Sequence, residues 1–446
     1  MGYVMLCLRY VAKRSLCVTW ISHLGGEARG AVGAPGIDTR KEYPMRIISL
    51  LRGPALGLAM CGTLLVGCTD VTEPAADQPS PTLAVAEAPG GQQGAQPLTI
   101  MTRNLYHGGD ISPMLGVDFS DHEAVVNAAA PIWAEILAND FHERVVAVVD
   151  EIEEHRPDVV GFQELAQFLV LDRDMFTGVF TPIGLIDFQT IIEDELSARG
   201  LPYSFVVTQA NTTVEVPVEG VNVGVFVPTI FVRLTVSDGV LVRRGLKVRN
   251  VSKGQYEATM QVGPIHFKRG WIMVDAKANG VPYHFVNTHL EIQPFAPIQA
   301  LQTQELLDIT ADLEGITVLM GDFNSNAAGS EGDPSWTATH DDIVAAGFDD
   351  AWSMVNPDET PEGLTCCQAS DLRNATTEFY QRIDFIFLRA VGQRGNHGVL
   401  PGFLDVELVG EEQGDRTYPN GLWPSDHAGV VADLWWAPGQ FKKHNR

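Results

Sequence analysis

The chain has 446 residues, 45% apolar and 19% charged, which is long enough for one large domain or two ordinary ones and too apolar for a disordered protein. Its formal net charge is -26, and because residues 1–67 hold eight basic and three acidic side chains, the remainder carries -31. An acidic surface repels polyanions, so tight, sequence-independent binding of duplex nucleic acid is disfavoured.

Met45-Arg46 is a second, better start than Met1, and residues 1–44 show no organised periodicity, as expected of a misassigned upstream extension. Arg46 and Arg52 form a positive segment, and Gly53–Gly67 is an apolar stretch too short to settle as a membrane-spanning helix. It ends Leu65-Val66-Gly67-Cys68, which resembles the bacterial lipoprotein signal class. That resemblance implies a signal peptide over 45–67, lipidation of Cys68, export, and a membrane anchor, on the outer membrane if the cell has one. Residues 68–96, rich in Pro, Ala, Gln and Gly, read as a disordered tether. Only Cys366 and Cys367 follow Cys68. Adjacent in sequence, they can close a ring, pair between molecules or remain thiols, and no second Cys or His pair makes a zinc site.

The domain is expected over 97–437, followed by a frayed tail at 438–446. A short strand from Pro97 ends at Asn104. Residues 105–140 read as an irregular insertion, a lid or substrate-facing loop that includes His107. Residues 141–155 place apolar side chains at helical spacing with charges opposite, and Arg156-Pro157 stops the helix. Asp158–Phe162 is a buried strand ending in Gln163-Glu164. Residues 188–200 read as a helix closed by Gly200. Tyr203–Val207 and Thr229–Leu246 read as strands and hairpins, with 211–228 unassigned. A strand enters from the basic pair Lys268-Arg269, and Tyr283–Val286 runs into Asn287-Thr288-His289. Residues 298–314 form a helix leading to Thr317–Met320, an apolar run dry on both faces. Gly321 lets the chain turn there, and Asp322 and Asn324, two apart, make a hard-oxygen corner suited to Mg²⁺ and phosphate. A helix and turn follow at 340–356, then a loop at 361–380. Arg382-Ile383-Asp384 opens another strand, and Ser425-Asp426-His427 leads into the last.

Taken singly, each polar group is an ordinary strand terminator or helix cap. Taken in order, Asn104, Gln163-Glu164, Asn287-Thr288-His289, Gly321-Asp322-Phe323-Asn324, Arg382-Ile383-Asp384 and Ser425-Asp426-His427 resemble the endonuclease/exonuclease/phosphatase superfamily of DNase I-like nucleases, neutral sphingomyelinases and inositol polyphosphate 5-phosphatases. The resemblance runs from about residue 97 to 437. It implies an α/β fold, a four-layer sandwich of two packed mixed sheets flanked by helices, and metal-dependent cleavage of a phosphate ester. It further implies that Glu164, Asn104 and Asp426 hold Mg²⁺ (or Mn²⁺ or Ca²⁺). His427 is then base or phosphate contact with Asp384 fixing its tautomer, and His289 binds phosphate from the other side. Asp322 and Asn324 position water or share a second metal, and Arg269 and Asn287 serve substrate binding.

These motifs do not choose among lipid, small-molecule and nucleic-acid esters. Arg243, Arg244, Lys247 and Arg249 form the densest basic cluster and carry the nuclease alternative. His289-Leu290-Glu291 departs from the His-Leu-Gln pattern of the sphingomyelinase branch, and Val221–Phe231 is either a buried strand or a membrane-touching loop. The favoured expectation is an exported, monomeric phosphodiesterase for phospholipid-type or small esters. A catalytically inactive surface binding protein is the reading from a different class.

Overall fold

Apolar alternation in the strands sorts side chains into two buried layers. In β13 (Gly315–Asp322), Ile316, Val318 and Met320 face one hydrophobic layer while Leu319 faces another, which is why the run is dry on both sides. The computed structural model describes residues 5–7, 17–19, 97–278, 281–357, 363–391 and 403–435. The predicted signal segment, Cys68, the tether and the tail lie outside the described residues. Residues 1–78 and 79–446 form separate units. In the first, the described residues are an antiparallel pair, β1 (Met5–Cys7) and β2 (Cys17–Thr19), in a stretch the sequence left without periodicity.

The second unit holds two large sheets. One is built from β3 (Leu98–Asn104), β4 (Val159–Arg173), β5 (Phe180–Asp187), β6 (Tyr203–Asn222), β7 (Phe226–Arg243), β16 (Phe403–Val409) and β17 (Gly429–Trp435), in the order β16-β17-β3-β4-β7-β6, with β5 also on β4. The other is β8 (Lys247–Gln255), β11 (Gly270–Ala278), β12 (Val281–His289), β13, β14 (Asp349–Asp350) and β15 (Asp384–Val391), in the order β14-β15-β13-β12-β11-β8. A small hairpin pairs β9 (Met260–Val262) with β10 (Ile265–Phe267).

The sheets pack face to face through Ile100, Val159 and Val240 from one and Val274, Phe285 and Val318 from the other. Helices α1 (His122–Ala138), α2 (Phe141–His155) and α3 (Phe188–Ala198) cover the outer face of the first sheet through residues such as Val145, Ile152 and Ile192. Helices α4 (Ala296–Thr310) and α5 (Thr339–Ala345) cover the second through Leu306 and Ile343. Each such side chain contributes about 1.5–3 kcal/mol by leaving water. The result is the expected four-layer α/β sandwich.

Several elements differ from the sequence expectation. Half of the irregular insertion is α1, begun by Asp121, which accepts from the N–H of Glu123 and Ala124; its internal Pro131 hides the helical signal. The unassigned 211–228 stretch is a long β6–β7 hairpin, with Val221, Val223 and Val225 exposed around its turn. Strand β4 does not end at Glu164 but continues to Arg173. A bulge between Phe162 and Leu165 interrupts its pairing with β7, and Glu164 takes a left-handed φ of 55° there. In α2, Arg144 and Glu151 are buried rather than on a solvated face.

Asp350 shows how a buried charge is kept. It caps α6 (Ala351–Val355), accepting from Trp352 N at 3.1 Å, and bonds Arg382 Nη1 at 2.7 Å, Ser353 Oγ at 2.8 Å and His340 Nε2 at 3.2 Å. Burial pushes this carboxyl up, but the His340 hydrogen bond and the Arg382 guanidinium outweigh it and hold it down at about 2. A depressed folded value means its stabilisation is present above the usual carboxylate range near 3.8 and is lost as pH falls towards 2. Asp350→Ala is expected to cost roughly 3–5 kcal/mol in urea unfolding at pH 7, because it strands the Arg382 charge. The difference between variant and wild type should shrink below pH 4; a pH-independent difference would count against the ion-pair account.

Candidate active site

Strand register assembles the site. Parallel pairing of β12 with β13 sets His289 beside Asp322, and antiparallel pairing of β13 with β15 sets Asp322 beside Asp384. On the facing sheet, β3 runs parallel to β4 with Asn104 beside Gln163, and β17 returns along β3 just after Asp426-His427. Both groups lie at one rim of the sandwich, and Asn104 Nδ2 crosses between the sheets to Asp322 Oδ2 at 3.1 Å and reaches Glu164 Oε1 at 3.5 Å.

Two buried arginines fix the loops that carry these groups. Arg144 donates to the carbonyls of Leu105, Tyr106, Asn139 and Pro424 at 2.7–2.8 Å. Arg103 donates to the carbonyl of His427 and to Glu151 Oε1, the latter at 2.7 Å. Ser425 Oγ donates to Asn104 O at 2.8 Å, joining the first and last motifs. Each such bond satisfies a backbone group that burial would otherwise leave costly.

His427 Nδ1 lies 2.8 Å from Asp384 Oδ2, while its Nε2 faces Asp426 Oδ1 at 3.9 Å and Asp322 Oδ2 at 4.0 Å. Burial pushes this imidazole down, but the carboxylates of Asp384 and Asp426 outweigh it and hold it well above its ordinary value. His289 is the opposite case: burial and the neighbouring Arg269 hold it well below. Arg269 Nη1 is 3.0 Å from each ring nitrogen of His289, and its Nη2 is 3.3 Å from Glu291 Oε1. Glu291, the departure in the His-Leu-Glu segment, is fully buried and orients that guanidinium.

Burial, then the Asp384 charge, raises Asp322 to about 7. Burial also raises Asp426 to about 6. Glu164 is held well below its ordinary value, because His107 outweighs the burial that would raise it. Asp322, Asp384 and His427 each offer a ligand atom, all within 4.8 Å of one another, and Asp384 Oδ1 is buried without a hydrogen-bond partner. Acids so crowded and dry need a cation, and hard oxygen donors suit Mg²⁺, Mn²⁺ or Ca²⁺. Asp322 and Asp426, with Glu164 and the remaining lone pair of Asn104 beside them, offer such oxygen donors next to the Asp384–His427 pair, so these residues fit a divalent ion.

Most of the predicted residues converge here: Asn104, Glu164, Arg269, His289, Asp322, Asp384, Asp426 and His427. Asn104 Oδ1 accepts the Tyr106 N–H, so its amide ties Glu164 to Asp322 and keeps one oxygen lone pair to offer. Asn324 acts through its backbone: its N–H bonds Asp322 Oδ1 at 2.9 Å, and its side-chain Nδ2 donates to Leu290 O. Asn287, expected at the substrate, lies between the sheets. It is fully buried, donating to the carbonyls of Phe162 and Gly239 and accepting from Gln163 Nε2 at 2.6 Å, which makes it a strut between the sheets.

His107, placed by the sequence only in the irregular insertion, joins the site. Its Nδ1 is 2.5 Å from Glu164 Oε2, and its backbone N–H donates to the same oxygen at 2.9 Å. The signal was its place three residues after Asn104. Cys366 and Cys367 are paired with each other, and Cys366 bridges the backbones of Gln381 and His427. Arg243 lies beside the start of β4, paired with Asp158, and Lys247 pairs with Lys277 at the end of β11 away from His289.

A family model described as the endonuclease/exonuclease/phosphatase family matches residues 132–427. Among solved structures, a humanized D. rerio TDP2 carrying 14 mutations is 15% identical, covering 76% of this chain and 99% of its own, with a TM-score of 0.45. A family protein from Leptotrichia buccalis is 15% identical over 76% and 100%, with a TM-score of 0.44. One from Bacteroides vulgatus is 16% identical over 77% and 100%, also with a TM-score of 0.44. No curated protein matches the sequence.

Proposed function

The chain belongs to the endonuclease/exonuclease/phosphatase family, and from that premise we propose that it is an exported, metal-dependent phosphodiesterase for phospholipid-type or small phosphate esters. The observation that carries this reading is the convergence of Asp322, Asp384 and His427 within 4.8 Å, with Asn104 linking Asp322 to Glu164 across the sheets.

A divalent ion, Mg²⁺ first, would be held by Glu164, Asn104 and Asp426 with Asp322 alongside; when bound it supplies charge neutralisation for the phosphate and makes water a better nucleophile. The protein's own groups do the rest. Asp384 fixes the His427 ring through Nδ1, with Nε2 turned towards the acid cluster; the carboxylate charge that holds this imidazole protonated would be committed to the ion when one is bound, which frees Nε2 to take the proton of the attacking water. His289 and Arg269 face the phosphate from the second sheet. The water oxygen bonds phosphorus as the ester P–O bond breaks, and the alkoxide leaves as the alcohol with a proton from solvent.

Hydrolysis of bis-p-nitrophenyl phosphate should be abolished by EDTA and restored by excess Mg²⁺. A rate indifferent to chelation would overturn the metal-dependent reading, and no hydrolysis under any metal would favour a binding protein. The position of the Arg243 cluster, away from the acid rim, supports small or lipid esters over a nucleic-acid backbone. Export and anchoring at Cys68 rest on the signal-like sequence. The mature protein is expected to begin at a diacylated or triacylated Cys68, and an intact mass showing an uncleaved chain with a free thiol would dismiss this.

A further inference from the structure

Beside the acid rim lies a cavity of about 140 Å³ between α1 and the β4/β6/β7 face. Its walls are almost wholly apolar, with Ile132, Trp133, Phe168, Val216, Val232 and Leu234 prominent. Its polar lining includes Glu164, His289 and Arg269, three groups of the site described above, so cavity and acid rim are continuous. Three buried polar atoms among the lining residues have no hydrogen-bond partner: His107 Nε2, Asn211 Oδ1 and Arg269 Nε.

We infer that this cavity is a substrate subsite for a hydrocarbon chain, so that the substrate is a phosphodiester with one alkyl or acyl tail seated between α1 and the β6–β7 hairpin. The inference rests on the phosphodiesterase reading and narrows its substrate class. An apolar void of roughly 150 Å³ stays dry and takes up apolar guests such as benzene. A nucleobase would bring more ring nitrogens and exocyclic groups than the few polar atoms of the lining can meet, and Val216, Val232 and Leu234 offer them no partner. A hydrocarbon chain brings none. It also lets Arg269 and His289 at the polar end take the phosphate while the tail lies along the valines.

The test is a series of p-nitrophenyl alkyl phosphodiesters, methyl to decyl, assayed with Mg²⁺ below their micellar concentrations. The expected result is a kcat/KM that rises by about fourfold per methylene over the first few carbons and then levels as the cavity fills. Ala129→Phe, which puts a ring in the cavity from α1, should lower the octyl-to-methyl ratio at least tenfold. The wild-type series stands alone if that variant does not fold. A flat series, or faster cleavage of plasmid DNA than of the octyl ester, would overturn the inference while leaving a phosphodiesterase. If no ester is cleaved, calorimetry with methyl and octyl phosphate separates the two claims. Tighter octyl binding keeps the subsite and rejects the hydrolase, whereas equal binding rejects both.

Discussion

His427→Ala is expected to slow hydrolysis of bis-p-nitrophenyl phosphate by roughly 10²–10⁴-fold, the range typical of a lost proton-transfer group. The loss should fall on kcat with KM little changed, because the imidazole acts on the proton in flight rather than on ground-state binding. The loop itself should survive, since the contacts from Arg103 to the His427 carbonyl and from the His427 N–H to Ser425 Oγ are made by backbone atoms. Asp384→Asn should show a loss of the same order, because the amide cannot accept the Nδ1 proton in the same way at 2.8 Å. The double variant should be little worse than either alone, as groups that act as a unit are not additive. Wild-type turnover by purified His427→Ala would remove His427 from the mechanism, and additive losses would separate it from Asp384.

The second large effect is expected on stability. A Cβ on Gly321 would stand 1.9 Å from the Thr288 carbonyl oxygen, and the residue holds a φ of +146°. Neither strand can easily yield, because β12 and β13 are paired throughout, up to His289 and Asp322. Overpacking costs about 1–3 kcal/mol and a disfavoured backbone region another 1–3. Gly321→Ala should therefore lose roughly 3–5 kcal/mol in urea unfolding, a large share of the 5–15 typical of a domain. Its folded fraction should also be impaired in turnover, since the displaced neighbour is Asp322. A loss below about 1 kcal/mol would mean the two strands are not held this closely.

The same glycine shows where sequence reading reaches its limit. Gly321 was legible as a turning point before Asp322, but the reason for it is the Thr288 carbonyl of a strand some thirty residues earlier. Glu164 was legible as a polar group in an apolar strand. That it sits in a bulge follows from the pairing of β4 with β7, which no local pattern encodes. Asn287 shared the strand-end pattern of His289, yet two residues of offset place it between the sheets and make it a strut. Arg144 and Glu151 followed the charged face of an amphipathic helix, but loop carbonyls and Arg103 bury them.

The sequence by itself determined the principal doubly buried strands, the covering helices α2, α3 and α4 though not α1, and that acids, amides and imidazoles punctuate the strand ends. Periodicity carries that information because burial of apolar side chains is a local constraint on each element. Only the tertiary structure decided which of those polar groups meet. Register across sheets, the bulge at Glu164, the arrival of His107 and the apolar cavity against the acid rim all arise from contacts between segments far apart in the chain, where the partner and not the pattern sets the geometry.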